Sequence, residues 1–383
     1  MGLRIDIGVG GRFHADRLAG ALLQSGHSVE IHTTYPISRF PKDLQAHVHS
    51  QIAPEVFFRL LSKLGAENSG DLVKMHWFGS ALAKRLQKQP ADLFIGWSSF
   101  SLETLRLGCH RHRAILRDSA HMRTQLDILN KEARFHGVRL PDRSAALERE
   151  EEEYALADTI FVLSEFARQT FLKQGISERK LAILPLGADT SVFKPIPRAP
   201  TKLPLKLVYF GSVSLRKGVS YLIEAVKAFK TDDVQLTIIG PVDPVLASWE
   251  KKYPQVQWKP PMDHAALARF LPTQDVFVLP TLEDGFGQTL PQAMACGLVP
   301  ITTDHCGAAE ILRPGETGFV VPAASTQALC EVIANAVIAP EQIWKMRECL
   351  LAECRNLGWE RYSEVLALWV QSLGEQRAYL NQK

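Results

Sequence analysis

The amino-acid sequence predicts an α/β protein with two doubly wound parallel-sheet domains that face each other across a cleft. Three observations support this fold class. Apolar strand patterns alternate with helix patterns up to about residue 185, and the alternation starts again at residue 206. Between the two series, residues 194–204 read KPIPRAPTKLP, and four prolines in so short a stretch are typical of a linker. The length of 383 residues is also typical of two domains.

The first series opens with a β-α-β unit, in which strand 3–9 and strand 29–33 flank a helix over residues 14–25. Four further strands are predicted at residues 92–97, 114–116, 159–163 and 181–184. The helices between them are predicted at residues 79–89, 102–109, 145–157 and 165–174. Ser164 is suited to cap the last of these helices, because its hydroxyl can accept from a free N–H of the first turn.

The second series repeats the alternation. Its strands are predicted at residues 206–211, 235–239, 276–279, 299–302 and 318–321. Its helices are predicted at residues 221–229, 263–271, 288–295 and 309–312, and residues 327–382 are predicted to be helical throughout. We therefore divide the chain into a first domain over residues 1–195, a second over 196–360, and a C-terminal helix over 361–383.

Composition limits the class of function. A net charge of +3 does not indicate a nucleic-acid partner. No stretch approaches the ~18 apolar residues of a membrane span, and the first strand begins too close to Met1 for a signal peptide. The six cysteines form no C-x-x-C pair, which favours a reduced, cytoplasmic protein. No D-x-D triplet or His/Cys cluster has ligand spacing, so neither a metal nor another cofactor is expected.

Residues 275–319 contain the most informative pattern. An apolar strand runs into a turn with two acids and two glycines, and a helix starts at about Gln288. The free N–H groups and dipole of a helix N-terminus attract an anion, and glycines let a ligand approach the backbone. Glu283 and Asp284 would repel a bare phosphate. The pattern therefore favours a phosphate joined to a sugar, whose hydroxyls these acids can bind.

A pair of cations follows the first strand of the second domain. Arg216 and Lys217 lie in a loop before Gly218 and a helix, where they can bind a diphosphate. The alternative is a solvated loop pair. The second anion site predicted at the same end of the sheet favours the diphosphate.

The glycine turn after the first strand has two interpretations. Gly8 and Gly10 match half of a G-x-G-x-x-G fingerprint, but Phe13 stands where the third glycine is required. The first interpretation, a nicotinamide oxidoreductase, depends on this turn alone. The other interpretation is a tight turn at Gly10 and Gly11 where a ligand approaches the backbone.

Two further features have both a structural and a functional interpretation. His121 follows strand 114–116, so it is either a core or surface histidine or a residue of the cleft. The stretch from Arg106 to Arg143 is rich in arginine. It is either a solvated helical face or a cationic surface for an anionic membrane or acceptor, which would place the protein at the inner face of the membrane.

Five segments resemble a known family. They read GHSVEIHT, EEEYALADTIFVLSEFARQTF, LPLGADTSVFKP, FGSVSLRKG and EDGFGQTLPQAMACGLVPITTDHCGAAEI. In this order, over nearly the whole length, they resemble family 4 glycosyltransferases of the GT-B fold. The resemblance implies that the C-terminal helices return to the first domain. It also implies a retaining transfer of a sugar from a UDP- or GDP-sugar to a hydroxyl of a glycan, lipid-linked or small-molecule acceptor.

The resemblance also implies site residues. The family motif has two glutamates separated by seven residues, where this chain has Asp284 and Gln292. These would hold sugar hydroxyls and the ribose diol. The implied catalytic residues are His121, near the reacting carbon, with Arg216, Lys217 and Asp284. The implied donor-binding residues are Gly10, Gly11, Gly211, Ser212, Glu283, Gly285, Phe286, Gly287, Gln288, Thr289 and Gln292.

Two departures from the family pattern support an alternative. Asp284 and Gln292 replace the two glutamates, and Ser212 stands where the family has an arginine after Phe-Gly. The alternative is a nucleotide-sugar-binding protein of the same fold that transfers weakly or not at all.

Overall fold

The structure is a computed structural model that describes residues 2–63, 67–353 and 357–380. Two parallel sheets form its two halves, and each strand pair within them runs parallel. The predicted α/β fold class is therefore confirmed. Because parallel strands are joined by crossover helices, both faces of each sheet are covered and the strands are buried.

The first sheet has seven strands in the order β3-β2-β1-β4-β5-β6-β7. Its strands are β1 (Arg4–Val9), β2 (Ser28–Thr33), β3 (Val48–Ser50), β4 (Leu93–Trp97), β5 (His112–Arg117), β6 (Thr159–Val162) and β7 (Leu181–Ile183). The order reverses between β1 and β4, and ligands of such sheets bind outside the carboxyl ends of the strands at that point.

Seven helices accompany this sheet in the described part of the chain. They are α1 (Ala15–Gln24), α2 (Ile52–Lys63), α3 (Glu67–Lys88), α4 (Leu102–Leu107), α5 (Met122–Phe135), α6 (Ser144–Leu156) and α7 (Glu165–Lys173). Ser164 caps α7, since its hydroxyl accepts from the Ala167 N–H at 3.1 Å.

Three elements of this half were not predicted. β3 is a three-residue edge strand, too short for a periodic pattern. α5 carries apolar residues at helical spacing, Met122, Leu126, Leu129 and Ala133, but most of its other residues are polar and it was overlooked. α2 carries apolar residues on both its packed and its exposed sides, which obscures the helical period.

The second sheet has six strands in the order β10-β9-β8-β11-β12-β13. They are β8 (Leu205–Phe210), β9 (Val234–Ile239), β10 (Gln257–Lys259), β11 (Val276–Leu279), β12 (Val299–Thr303) and β13 (Phe319–Val321). The strand predicted at residues 276–279 is confirmed with the same first and last residues. This sheet also reverses its order, between β8 and β11.

The helices of this half are α8 (Val219–Val226), α9 (Trp249–Lys252), α10 (His264–Phe270), α11 (Thr289–Ala295), α12 (Thr326–Ile338), α13 (Pro340–Glu353) and α14 (Glu360–Leu380). Two predictions are corrected. Residues 309–312 do not form an α-helix, because Gly307–Ile311 is a 3₁₀ helix. The helical C-terminal region is divided at Ala339, where Pro340 starts a new helix, and again before Glu360.

The C-terminal helix packs on the first half of the chain. The Trp369 ring of α14 lies 4.6 Å from the Phe161 ring of β6 and 5.5 Å from the imidazole of His112. Tyr362 lies against His14, at 5.7 Å between rings. The predicted return of the C-terminal helices is thus confirmed. None of the helices among the described residues has the length and apolar content to cross a bilayer.

Candidate active site

A cavity of about 810 Å³ lies between the carboxyl ends of the two sheets. Its wall from the second half contains ten of the residues predicted from the sequence. These are Gly211, Ser212, Arg216, Lys217, Asp284, Phe286, Gly287, Gln288, Thr289 and Gln292. They converge because β8 and β11 are neighbours in the sheet and their carboxyl-terminal loops meet at its reversal point.

Lys217 and Asp284 form an ion pair in this wall. Lys217 ends a short 3₁₀ turn before α8, and Asp284 follows β11. The side chains are mostly buried, so their attraction is screened less than at a surface. The pair places one cation and one anion side by side on the cavity.

Asp284 is charged in this setting. Burial by itself would raise the pKa of Asp284. The positive charges of Lys217 and Arg216, together with hydrogen bonds from Lys217 and the Phe286 N–H, outweigh burial and lower that pKa. A carboxylate that stays ionised can accept hydrogen bonds from sugar hydroxyls over a broad pH range.

Glu283 does not line the cavity, contrary to its predicted place among the donor-binding residues. Its carboxylate is fully buried and joins the two halves of the chain. Oε1 accepts from the Ala120 N–H at 2.7 Å, and Oε2 accepts from Gln125 Nε2 at 2.8 Å. Arg216 Nη1 donates to the Glu283 carbonyl oxygen at 3.0 Å and to Oε2 at 3.4 Å. Every acceptor of this side chain is therefore engaged in the structure.

Gly285 also belongs to the junction between the halves rather than to the cavity. A Cβ at this position would lie 2.4 Å from the Asp118 carbonyl oxygen, so only glycine fits. The Gly285 carbonyl oxygen accepts from the Ser164 hydroxyl at 2.6 Å. The glycine thus lets the two backbones approach, which is a different role from the predicted contact with a sugar.

The N-terminal glycine turn is packed against protein. A Cβ on Gly10 would meet the Phe100 ring at 2.1 Å. The carbonyl oxygens of Gly10 and Gly11 accept from Thr34 and Thr33 hydroxyls at 2.8 and 2.5 Å. Neither glycine lines the cavity, and their predicted approach to the donor stays a prediction.

His121 is buried next to the cavity but does not line it. Its ring packs against Tyr154 and Phe171, each with centroids 4.9 Å away. Its Nδ1 accepts from the Arg123 N–H at 3.2 Å and so caps α5. Burial, with the nearby charges of Arg117 and Arg123, lowers the pKa of His121 to about 4. The imidazole is therefore neutral at pH 7.

The wall from the first half consists of residues that sequence reasoning missed. It includes Arg12, Phe13, His14 and Asp118, and Trp359 from the C-terminal region lies beside His14. The sequence feature that could have indicated this wall is Phe13, which stands where the glycine fingerprint requires a third glycine. In the structure Phe13 has a φ of 43°. This backbone turns the Phe13 side chain, which is 57% exposed, toward the cleft.

Polar atoms of this wall are buried without a partner. They include Nε2 of His14 and Oδ1 of Asp118. His14 Nδ1 lies 3.9 Å from that same Asp118 oxygen, and burial lowers the pKa of His14 against the charges of Asp118 and Asp16. Buried polar atoms are normally hydrogen-bonded, so these two atoms are an exception beside the cavity.

The arginine-rich stretch is mostly neutralised by acids. Six of its nine basic residues form ion pairs: Arg106 with Glu152, Arg111 with Asp92, Arg113 with Asp158, Arg117 with Glu150, Arg123 with Glu151, and Arg143 with Asp71. Three of these acids belong to α6. The pairs do not favour the predicted cationic docking surface, which stays a prediction.

Two family models match the chain. Residues 9–192 match the model described as Glycosyltransferase Family 4, and residues 204–337 match the model described as Glycosyl transferases group 1. The chain belongs to glycosyltransferase family 4. The putative colanic acid biosynthesis glycosyltransferase WcaL of Escherichia coli (strain K12) is 26% identical over 220 residues, which are 52% of this chain and 53% of that protein. The chain thus spans about half the length of the curated relatives it matches.

Solved structures show the same architecture. Sucrose-phosphate synthase from Thermosynechococcus elongatus aligns with a TM-score of 0.70 at 20% identity, over 98% of this chain and 99% of that chain. The Anabaena protein Alr3699/HepE in complex with UDP-glucose aligns with a TM-score of 0.67 at 13% identity, over 97% of this chain and 100% of that chain. These likenesses confirm the GT-B fold of this family 4 glycosyltransferase.

The family 4 motif is altered inside the cavity. Asp284 and Gln292 both line the cavity at the positions of the two family glutamates. Gln292 offers both a donor and an acceptor, but it has no charge. Within the described ranges, no group of three or more His, Cys, Asp or Glu side chains is placed to hold a metal ion.

Proposed function

We propose that this protein is a retaining glycosyltransferase that moves a sugar from a UDP- or GDP-sugar to a hydroxyl of a glycan, lipid-linked or small-molecule acceptor. The Lys217–Asp284 pair beside Arg216, in the wall of a large cavity, carries this proposal. A cation for the diphosphate and an anion for sugar hydroxyls lie together there, which a nucleotide-sugar requires.

The donor is held by the second half of the chain in this proposal. Lys217 and Arg216 bind the diphosphate, and Lys217 exchanges part of its contact with Asp284 for phosphate oxygens. Asp284 then accepts from the sugar hydroxyls, and Gln292 binds the ribose diol. Phe286 and Gly287 shape the pocket beside them.

The acceptor faces the wall from the first half. His14 and Asp118 have buried polar atoms free for its hydroxyls, and the Phe13 ring offers an apolar surface to a sugar face. His121 acts as a positioning residue in this proposal. It caps α5 three residues after Asp118 and fixes the segment that carries this acid.

The reaction itself is a displacement on one face of the sugar. The bond from the anomeric carbon to the diphosphate oxygen breaks, and the acceptor oxygen forms the new bond from the same side. Because the new bond forms on the face from which the diphosphate leaves, the anomeric configuration is retained. The acceptor proton passes to the leaving diphosphate. The protein contributes position and charge, with Lys217 and Arg216 stabilising the diphosphate as its negative charge grows.

A binding protein without turnover is the second candidate, because Asp284 and Gln292 depart from the family pattern. A thermal-shift screen with UDP, GDP, ADP and their sugars tests binding first, since a ligand of the native state raises the melting temperature. A donor-hydrolysis and transfer assay follows with each ligand that shifts it. Binding without hydrolysis or transfer favours the second candidate, and no shift with any nucleotide contradicts both.

A cytoplasmic location and metal-free transfer are part of the proposal. Among the described cysteines, Cys109, Cys306, Cys330 and Cys349 form no disulfide, which supports a reducing compartment. Cys354 lies outside the described residues.

A further inference from the structure

An exposed apolar surface lies on the helices α2 and α3, away from the residues of the active site. It consists of six large side chains that are each 39% to 55% exposed: Ile52, Val56, Phe57, Leu60, Val73 and Trp77. We call this surface the α2–α3 face. Soluble proteins usually scatter such side chains singly, and a contiguous group marks an interaction site.

The spacing shows that the group is contiguous. Ile52, Val56 and Leu60 recur every four residues, so they follow one another along α2. Val73 and Trp77 have the same spacing on α3. The Phe57 and Trp77 rings, 6.2 Å apart, join the two stripes into one surface.

Charges around the α2–α3 face have one sign. Lys63, Lys84 and Lys88 are exposed, and none of them forms an ion pair with a described acid. On α3, Lys84 and Lys88 lie 7 and 11 residues after Trp77, which puts them on the same stripe.

The two acids of these helices whose side chains the structure describes are at most partly exposed, and both are paired with cations. Glu55 is buried and paired with Lys74 and Arg59. Asp71 is half-buried and paired with Arg143. Among the described side chains of the two helices, the exposed face is thus apolar and basic, with no exposed acid.

We infer that the α2–α3 face docks on an anionic lipid surface, with its apolar side chains at the level of the acyl chains and its lysines among the headgroups. A helix surface with aromatic and leucine side chains beside lysines suits that boundary. A second copy of this chain suits it less, because a self-complementary contact would bring like charges together. This inference does not depend on the proposed sugar transfer.

Vesicle co-sedimentation of the full chain tests the inference. Vesicles of phosphatidylglycerol with phosphatidylcholine are compared with vesicles of phosphatidylcholine alone. We expect binding to the anionic vesicles that falls at least about tenfold in the variant F57S/L60S/W77S and in the variant K63E/K84E/K88E. The control I338S/L368S changes apolar side chains that are 80% and 67% exposed elsewhere, and it should bind like the wild type.

Each contrary result overturns the docking surface. Wild-type protein that ignores anionic vesicles, or that binds both vesicle types equally, contradicts it. So does wild-type binding by both variants. Melting temperatures verify that the variants fold. If the apolar variant does not fold, the lysine variant alone still tests the inference. A different result would assign the face to a second copy of the chain. In that case light scattering would find a wild-type dimer that F57S/L60S/W77S breaks, and the wild type would not bind vesicles.

Discussion

The carboxylate of Glu283 accepts a hydrogen bond of 2.7 Å from the backbone N–H of Ala120, and this bond connects the two halves of the chain beside the cavity. Gln125 and Arg216 occupy the remaining acceptor positions. Glu283 thus sets the distance between the donor-side loop and the segment that carries Asp118.

Glu283→Gln should destabilise the protein. The amide cannot accept from both Ala120 and Gln125, and Arg216 loses its buried counter-charge. We expect a loss of about 3 kcal/mol in the free energy of unfolding, measured by urea denaturation. Glu178→Gln is the matched control, because Glu178 is an exposed partner of Arg168 and should change the stability little. Equal stability of the two variants would show that Glu283 does not hold the halves together.

Lys217→Ala should abolish sugar transfer while the fold survives. The variant loses the cation that stabilises the leaving diphosphate, and we expect kcat/KM to fall by about 10²-fold or more. The control is Lys227→Ala, which removes an exposed lysine paired with Glu224 on α8. Steady-state kinetics with the donor found in the thermal-shift screen measures the effect. Full activity of the Lys217 variant would contradict the proposal that Lys217 binds the diphosphate.

Gln292→Glu should strengthen donor binding. The change restores the second glutamate of the family motif, and a charged acceptor forms stronger hydrogen bonds to a ribose diol than a neutral amide. We expect the donor Kd from calorimetry to fall by up to about tenfold. Gln342→Glu on the exposed side of α13 is the control. An unchanged or weaker Kd for Gln292→Glu would mean that Gln292 does not hold the diol.

His121 should make the protein less stable as the pH falls. Its pKa is about 4 in the native state against about 6.5 in the unfolded chain, so only the unfolded chain binds the proton between these values. The free energy of unfolding therefore decreases as the pH falls from 6.5 to 4, and one unit of pKa difference corresponds to about 1.4 kcal/mol. His121→Asn keeps an acceptor for the Arg123 N–H but does not titrate. Its free energy of unfolding should depend less on pH over that window, and parallel curves would contradict the assignment.

Removal of divalent metal should leave the transfer rate unchanged. The proposed mechanism neutralises the diphosphate with Arg216 and Lys217, and the described residues contain no metal-ligand cluster. The measurement is the initial rate in EDTA against the rate with added Mg²⁺ or Mn²⁺. Strict dependence on Mn²⁺ would contradict metal-free transfer.

Much of the fold could be predicted because strand and helix periodicities are local properties of the chain. The strand over residues 276–279 and the cap at Ser164 were found in this way. β3 and α5 were missed because one is three residues long and the other is mostly polar in composition. The cations Arg216 and Lys217 and the acid motif at Asp284 could also be found, since each lies in a short run of residues.

The sequence by itself determined the two α/β halves and the residues that the second half contributes to the cavity wall. Only the tertiary structure decided that Asp284 faces the cavity while Glu283, one residue earlier, joins the halves of the chain. It also decided that Gly10 and His121 pack against aromatic rings, and that His14 and Asp118 form the opposite wall. The physical reason is that adjacent side chains in a loop can face different neighbours. The partners of the Glu283 carboxylate, Ala120 and Gln125, lie more than 150 residues away in the chain, so no local pattern reveals them.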